Sequence, residues 1–278
     1  MKLGILSAEI CAKSVSDLFS KSKKYGFSMM QFVFSSVCDE EVPAHINDDL
    51  LDKIRANANK NGIEIAAVNG TFNMAHPSRE ERISGVTRFE NVAKACKKLN
   101  CNLITICTGS RNTESMWAHH PQNGSEEAWA DMSETMQMLL DIAQNYDLIL
   151  AMEVEASNII DSPQKAVKII EEMGSERLKI IMDCANLFGF GKAKKEMVEP
   201  TIIEAFNLLG KHIVLAHGKD VLEGEDLNFV GAGMGIVDFE LFCAKLTEIG
   251  YTGGMILHGT KNELQVEPCV RFLKNVFT

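Results

Sequence analysis

The sequence predicts an α/β fold, a closed (β/α)8 (TIM) barrel forming a single domain over residues 1–278, and three observations predict it. Short apolar runs alternate with helix-length amphipathic stretches eight times, with no linker or low-complexity segment between them. The length of 278 residues suits a barrel, which needs about 250. Four apolar runs in the second half end in residues that can bind a metal: 148–153 in Glu153, 178–183 in Asp183, 212–217 in His217 and 254–258 in His258. Such side chains are costly beside a buried strand unless something compensates them. Four at the same place relative to their strands point to one polar site at one end of the barrel.

Strands are expected at 2–6, 28–34, 63–69, 103–108, 148–154, 178–183, 212–217 and 254–258. All are short and apolar, as in a parallel sheet buried on both faces. Helices are expected at 14–25, 46–61, 79–99, 126–145, 162–173, 196–210, 236–249 and 264–276. Ser125 with Glu126 and Glu127, and Ser162 before Pro163, mark helix starts. Gly26, Gly62, Gly174, Gly210 and Gly250 mark stops. An open doubly wound sheet binding a dinucleotide would carry a Gly-x-Gly-x-x-Gly turn after its first strand. Here Ser7-Ala8-Glu9 follows, which is no phosphate cradle. Gly231-Ala232-Gly233-Met234-Gly235 lies in a loop and reads as a flexible or close-approach turn, with contact to a substrate phosphate as the alternative.

A net charge of −10 argues against nucleic acid and anionic membranes as partners. No apolar run approaches the roughly 20 residues that cross a bilayer. The chain enters its first strand at Lys2, without room for a signal peptide. The eight cysteines form no Cys-x-x-Cys pair, so reduced thiols in a cytoplasm are expected.

Two carboxylates and two imidazoles suit one divalent ion, with Mn²⁺ expected first and Zn²⁺, Co²⁺, Fe²⁺ or Mg²⁺ as alternatives. Glu155 shares the strand parity of Glu153 and is a candidate base if Glu153 is tied to the metal. His76 and His120, in the loops after the third and fourth strands, are rival acid/base groups. Arg111 is placed for a carboxylate or phosphate, and Lys219 for a substrate oxyanion. Asp220 would fix His217 or Lys219 from behind. Trp117 and Trp129 flank a loop rich in Asn, His and Gly, and an aromatic face suits a sugar ring.

These residues carry a resemblance. Met152-Glu153-Val154-Glu155, then Asn158 through Pro163, Met182-Asp183-Cys184-Ala185-Asn186-Leu187 and His217-Gly218-Lys219-Asp220 occur in the order of signature blocks of the xylose isomerase-like TIM-barrel superfamily. That superfamily holds sugar isomerases and epimerases and also endonuclease IV. The segments 70–77, 106–111 and 117–129 resemble a branch of sugar phosphate isomerase/epimerase-like proteins. The resemblance implies metal ligation by Glu153, Asp183 and His217, a small-molecule sugar substrate contacted by residues such as Asn186, and a possible homodimer. It also implies a Glu after the eighth strand as fourth ligand and second base, where this chain has His258. Hence the expected activity is metal-dependent isomerisation or epimerisation through an enediolate. β-Elimination of an oxidised (3-oxo) glycoside and a non-catalytic sugar-binding barrel are the alternatives. Endonuclease IV chemistry resembles a three-zinc site with a His where this chain has Asn186, which disfavours it.

Overall fold

The computed structural model describes residues 1–277. Its strands are β1 (Lys2–Leu6), β2 (Met29–Phe32), β3 (Glu64–Asn69), β4 (Leu103–Ile106), β5 (Ile149–Glu153), β6 (Leu178–Asp183), β7 (Ile213–Val221), β8 (Phe229–Gly231) and β9 (Gly254–Leu257). All but β8 pair in parallel, each with the next around the ring, and β9 pairs with both β7 and β1 to close it. Eight α-helices follow among the described residues: α1 (Val15–Lys24), α2 (Asp48–Asn61), α3 (Arg79–Leu99), α4 (Glu126–Tyr146), α5 (Pro163–Met173), α6 (Val198–Leu209), α7 (Phe239–Glu248) and α8 (Val266–Val276). The expected closed barrel is therefore the fold.

Local chemistry sets the boundaries. Ser14, Asn47, Ser78, Ser125 and Asp238 each accept a backbone N–H of the first helical turn. Ser162 makes no such bond, so Pro163 alone marks the start of α5. β2 and β4 are shorter than their apolar runs: Phe34 begins a short 3-10 turn, and after Ile106 the chain leaves the sheet to build the mouth. No helix among the described residues is long and apolar enough to cross a membrane.

β7 runs four residues beyond its expected end at His217, because Lys219, Asp220 and Val221 pair antiparallel with Gly231, Val230 and Phe229. The Asp220 carboxylate, fully buried, latches this hairpin. It accepts N–H groups from Val221 at 2.8 Å, Gly233 at 3.1 Å, Gly235 at 2.8 Å and Val237 at 2.9 Å. A Cβ at Gly235 would collide with the Val221 carbonyl and with Asp220. The glycines of 231–235 thus wrap the chain's own carboxylate, and those N–H groups are not free for a phosphate.

In-register pairing then brings the site together. Asp183 at the end of β6 lies opposite His217 on β7, and Glu153 closes β5 beside β6.

Candidate metal centre and the cavity above it

One Asp183 oxygen is fully used and the other is not. Oδ1 accepts the N–H groups of Ala185 at 2.9 Å and Asn186 at 3.3 Å, a consequence of the tight turn after β6. Oδ2 is sealed from solvent without a hydrogen-bond partner. His217 Nδ1, 3.5 Å away, is equally buried and unpartnered, and stands 3.4 Å from Glu153 Oε1. The three ligand atoms lie within 4.8 Å of one another. Buried polar atoms are rarely left unpaired. A carboxylate oxygen and an imidazole nitrogen orphaned face to face, with a second carboxylate beside them, fit a divalent cation.

The far side of His217 fixes which nitrogen is free. Its Nε2 stands 2.8 Å from Gln31 Oε1. The Gln31 amide donates to Thr105 Oγ1 at 3.1 Å, Thr105 donates to Asn69 Oδ1 at 3.2 Å, and Asn69 donates to Glu41 Oε1 at 2.8 Å. With these assigned donors running one way, the proton sits on Nε2 and the Nδ1 lone pair faces the cluster. Burial opposes a second proton on this ring, but Glu153 and Asp183 outweigh it and raise the imidazole to about 9. Burial pushes Asp183 up, yet Lys219 and His217 overcome it and hold that carboxyl low.

Asn186 bridges the centre to Lys219. Its amide donates to Glu153 Oε1 at 2.7 Å and accepts from Lys219 Nζ at 2.6 Å. The buried Lys219 ammonium also sits 3.4 Å from Asp183 Oδ2 and 4.2 Å over the Phe229 ring. Burial favours its neutral form, but Asp183, Glu153 and Glu155 prevail and keep it charged. Glu155 is buried one step beyond the cluster. Loss of water raises its carboxyl to about 7, opposed by Lys219 and reinforced by Glu153 and Asp183.

The structure does not bring His258 nitrogen atoms into the three-ligand group. The His258 ring lies edge-on to His217, centroids 5.4 Å apart, and its Nδ1 is 3.1 Å from Glu9 Oε1. Glu9 also accepts from the Gly259 N–H at 2.8 Å and from the Thr260 hydroxyl. Burial raises the Glu9 carboxyl, and these partners, His258 foremost, bring it below its ordinary value. Sequence reasoning missed Glu9 as a site residue; the acidic side chain just after the first strand was the available signal.

Five other expected residues are engaged away from the cavity. Arg111 is bound to Asp131 at 2.5 Å, to Glu127 at 3.1 Å and to the Ala75 carbonyl at 3.3 Å, tying its loop to α4. His76 accepts the Ser78 N–H at 3.1 Å at the start of α3, and His120 accepts the Gln122 N–H at 3.2 Å. Asp220 spends its carboxylate on the hairpin rather than on His217 or Lys219. Trp129 packs on the outer face, its indole N–H donating to Glu172 at 2.7 Å.

Above the cluster the mouth holds two chambers. The inner one, about 220 Å³, is walled by Gln31, Asn69, Thr105, Glu153 and His217. The outer one, about 690 Å³, reaches Glu155, Lys219, Phe190, Leu227 and Phe229. Trp117 and His258 line both.

A family model described as xylose isomerase-like TIM barrel matches residues 19–276. The chain belongs to that family. No curated protein matches this xylose isomerase-like barrel by sequence. Among solved structures it is similar to an E. coli 3-keto-D-glucoside 4-epimerase, with 15% identity, 99% of each chain covered and a TM-score of 0.77. It is similar to a D-tagatose 3-epimerase-like protein at 19% identity, covering 100% of this chain and 97% of that one, TM-score 0.77. A third likeness is to the IOLI protein with a binding zinc atom, 17% identical, covering 100% and 96%, TM-score 0.73. At such identities these likenesses establish the fold.

Proposed function

We propose that this barrel is a divalent-metal-dependent isomerase or epimerase of a sugar or sugar derivative, with Mn²⁺ the ion expected first. The observation that carries the reading is the orphaned pair of Asp183 Oδ2 and His217 Nδ1 beside Glu153, at the floor of the inner chamber. Glu153, Asp183 and His217 would hold the ion. When bound, a divalent ion would supply Lewis acidity there, making a C–H bond next to a substrate carbonyl easier to deprotonate. Asn186 keeps Glu153 turned inward, and Lys219 offers positive charge to an oxyanion. Glu155, buried and not bound by the other three, is the group to take and return the proton. The free thiols of all eight cysteines suit a reducing compartment such as the cytoplasm.

A second reading rests on the asymmetry of the mouth. Where the family's second carboxylate is expected, His258 stands on Glu9. A carboxylate facing an imidazole suits an elimination, in which one group takes a proton and the other protonates the departing oxygen of a 3-oxo glycoside. The metal-loaded protein is incubated in D₂O with panels of ketoses and of 3-oxo glycosides. Deuterium entering recovered substrate or its isomer without a released aglycone supports isomerisation. Aglycone release supports the lyase. Metal bound but no exchange with any member would sink both and leave a binding barrel.

A further inference from the structure

We propose that the outer chamber is a subsite for a flat apolar group carried by the sugar, so that the ligand is an unphosphorylated aryl-type glycoside whose sugar ring carries the reacting carbonyl, rather than a free monosaccharide. The inference rests on the reading of the inner chamber as a sugar site and adds the rest of the molecule to it.

The inner chamber, about 220 Å³, falls below the roughly 300–1,000 Å³ typical of sites that bury drug-sized ligands, while the outer one, about 690 Å³, falls inside that range. Trp117 and His258 wall both, so the two chambers adjoin and a group attached to a sugar in the inner one has the outer one beside it. The outer chamber also reaches Glu155 and Lys219, which puts the link between its occupant and the sugar beside the proton-moving group.

Trp117 and Phe190 are 49% and 52% exposed, and no other Phe, Trp or Tyr among the described residues is so open. Both stand at this mouth, with Leu227 and Phe229 completing an apolar face. Gly191 follows Phe190 at φ +73°, and the His119 ring meets the Phe190 ring edge-on at 6.0 Å. The hydroxyls of a second sugar ring turned towards Phe190, Leu227 and Phe229 would lose water without gaining a partner, at a cost in desolvation.

Phosphate is recognised by Arg forks or clustered N–H donors. The lone Lys or Arg lining either chamber is Lys219, already bound to Asn186. Arg111 is consumed by Asp131 and Glu127, and the glycine-loop N–H groups by Asp220.

The test titrates the metal-loaded full chain calorimetrically with phenyl, methyl and free forms of D-glucose, D-galactose and D-mannose, and with cellobiose. In at least one series the phenyl glycoside binds about tenfold more tightly than the methyl glycoside, as one or two ring stackings imply. Phe190→Ala and Leu227→Ser each lower that phenyl-to-methyl ratio roughly three- to tenfold. Equal affinities, no binding at all, an unaltered ratio in both variants, or cellobiose bound more tightly than any phenyl glycoside would overturn the inference. So would a change of association state by light scattering in Phe190→Ala, which would assign the rings to a second copy of the chain. Metal content measured on the same samples separates the two readings. A phenyl preference without bound metal defeats the isomerase alone, and bound metal without the preference defeats this subsite alone.

Discussion

His217 and Asp183 present a nitrogen and an oxygen to each other at 3.5 Å, sealed from water and without a hydrogen-bond partner, with the Lys219 ammonium 3.4 Å from the oxygen. Without a cation, a proton takes its place, since the two carboxylates hold the imidazole near 9 despite burial. The sign follows directly. A metal needs the neutral ring, so below about pH 9 it must displace that proton. Apparent affinity should tighten about tenfold per pH unit towards 9 and then level off. Mn²⁺ titrations across about pH 6 to 8 check this, and a flat profile would place the proton elsewhere. Glu155→Gln should lower turnover by roughly 10²–10⁴-fold while metal stoichiometry is kept, separating proton transfer from ligation. Simultaneous loss of metal would instead make Glu155 a ligand. Glu153, Asp183 and His217 were legible in the sequence because each ends an apolar run. Gln31 was not, because its partner lies 186 positions away; Glu9 carried the signal of an acid after the first strand, but its partner His258, 249 positions away, meets it only across the closed ring. Arg111 looks the same in sequence whether it faces a cavity or a helix; its capture by Glu127 and Asp131 depends on the rotation of α4.

The β7–β8 hairpin shows the same limit for elements. Eight strand–helix units could be read from alternation alone. β8 could not, since Phe229–Gly231 is too short to show a period and its glycines suggest only a turn. What orders the loop is the Asp220 carboxylate with its four N–H donors, and the pairing of Lys219 with Gly231 carries that order to the site. Asp220→Ala leaves four N–H groups without their acceptor and should cost about 3 kcal/mol or more, read as a lower urea midpoint. Asp220→Asn keeps one acceptor oxygen and should cost less. Equal losses would mean that the carboxylate contributes through packing rather than as an acceptor.

At the scale of the whole barrel, the candidate centre collects side chains from around the ring. Its ligands come from β5, β6 and β7, His217 is oriented from β2, and the Glu9–His258 contact straddles the β1–β9 seam that closes the sheet. The unfolded chain cannot gather these groups, so an ion bound here stabilises the fold as a unit. At a free concentration about a hundred times its Kd, the gain is about 2.7 kcal/mol. For a domain near this size that raises Tm by roughly 5 °C or more, and a chelator should reverse it. Asp183→Asn removes the charged oxygen that faces the ion, so the shift should vanish in that variant although its barrel still forms. Melting curves with and without Mn²⁺ for both proteins decide the matter. A rise that persists in Asp183→Asn would place the stabilising ion outside the cluster and leave Asp183 Oδ2 and His217 Nδ1 without the cation that accounts for them.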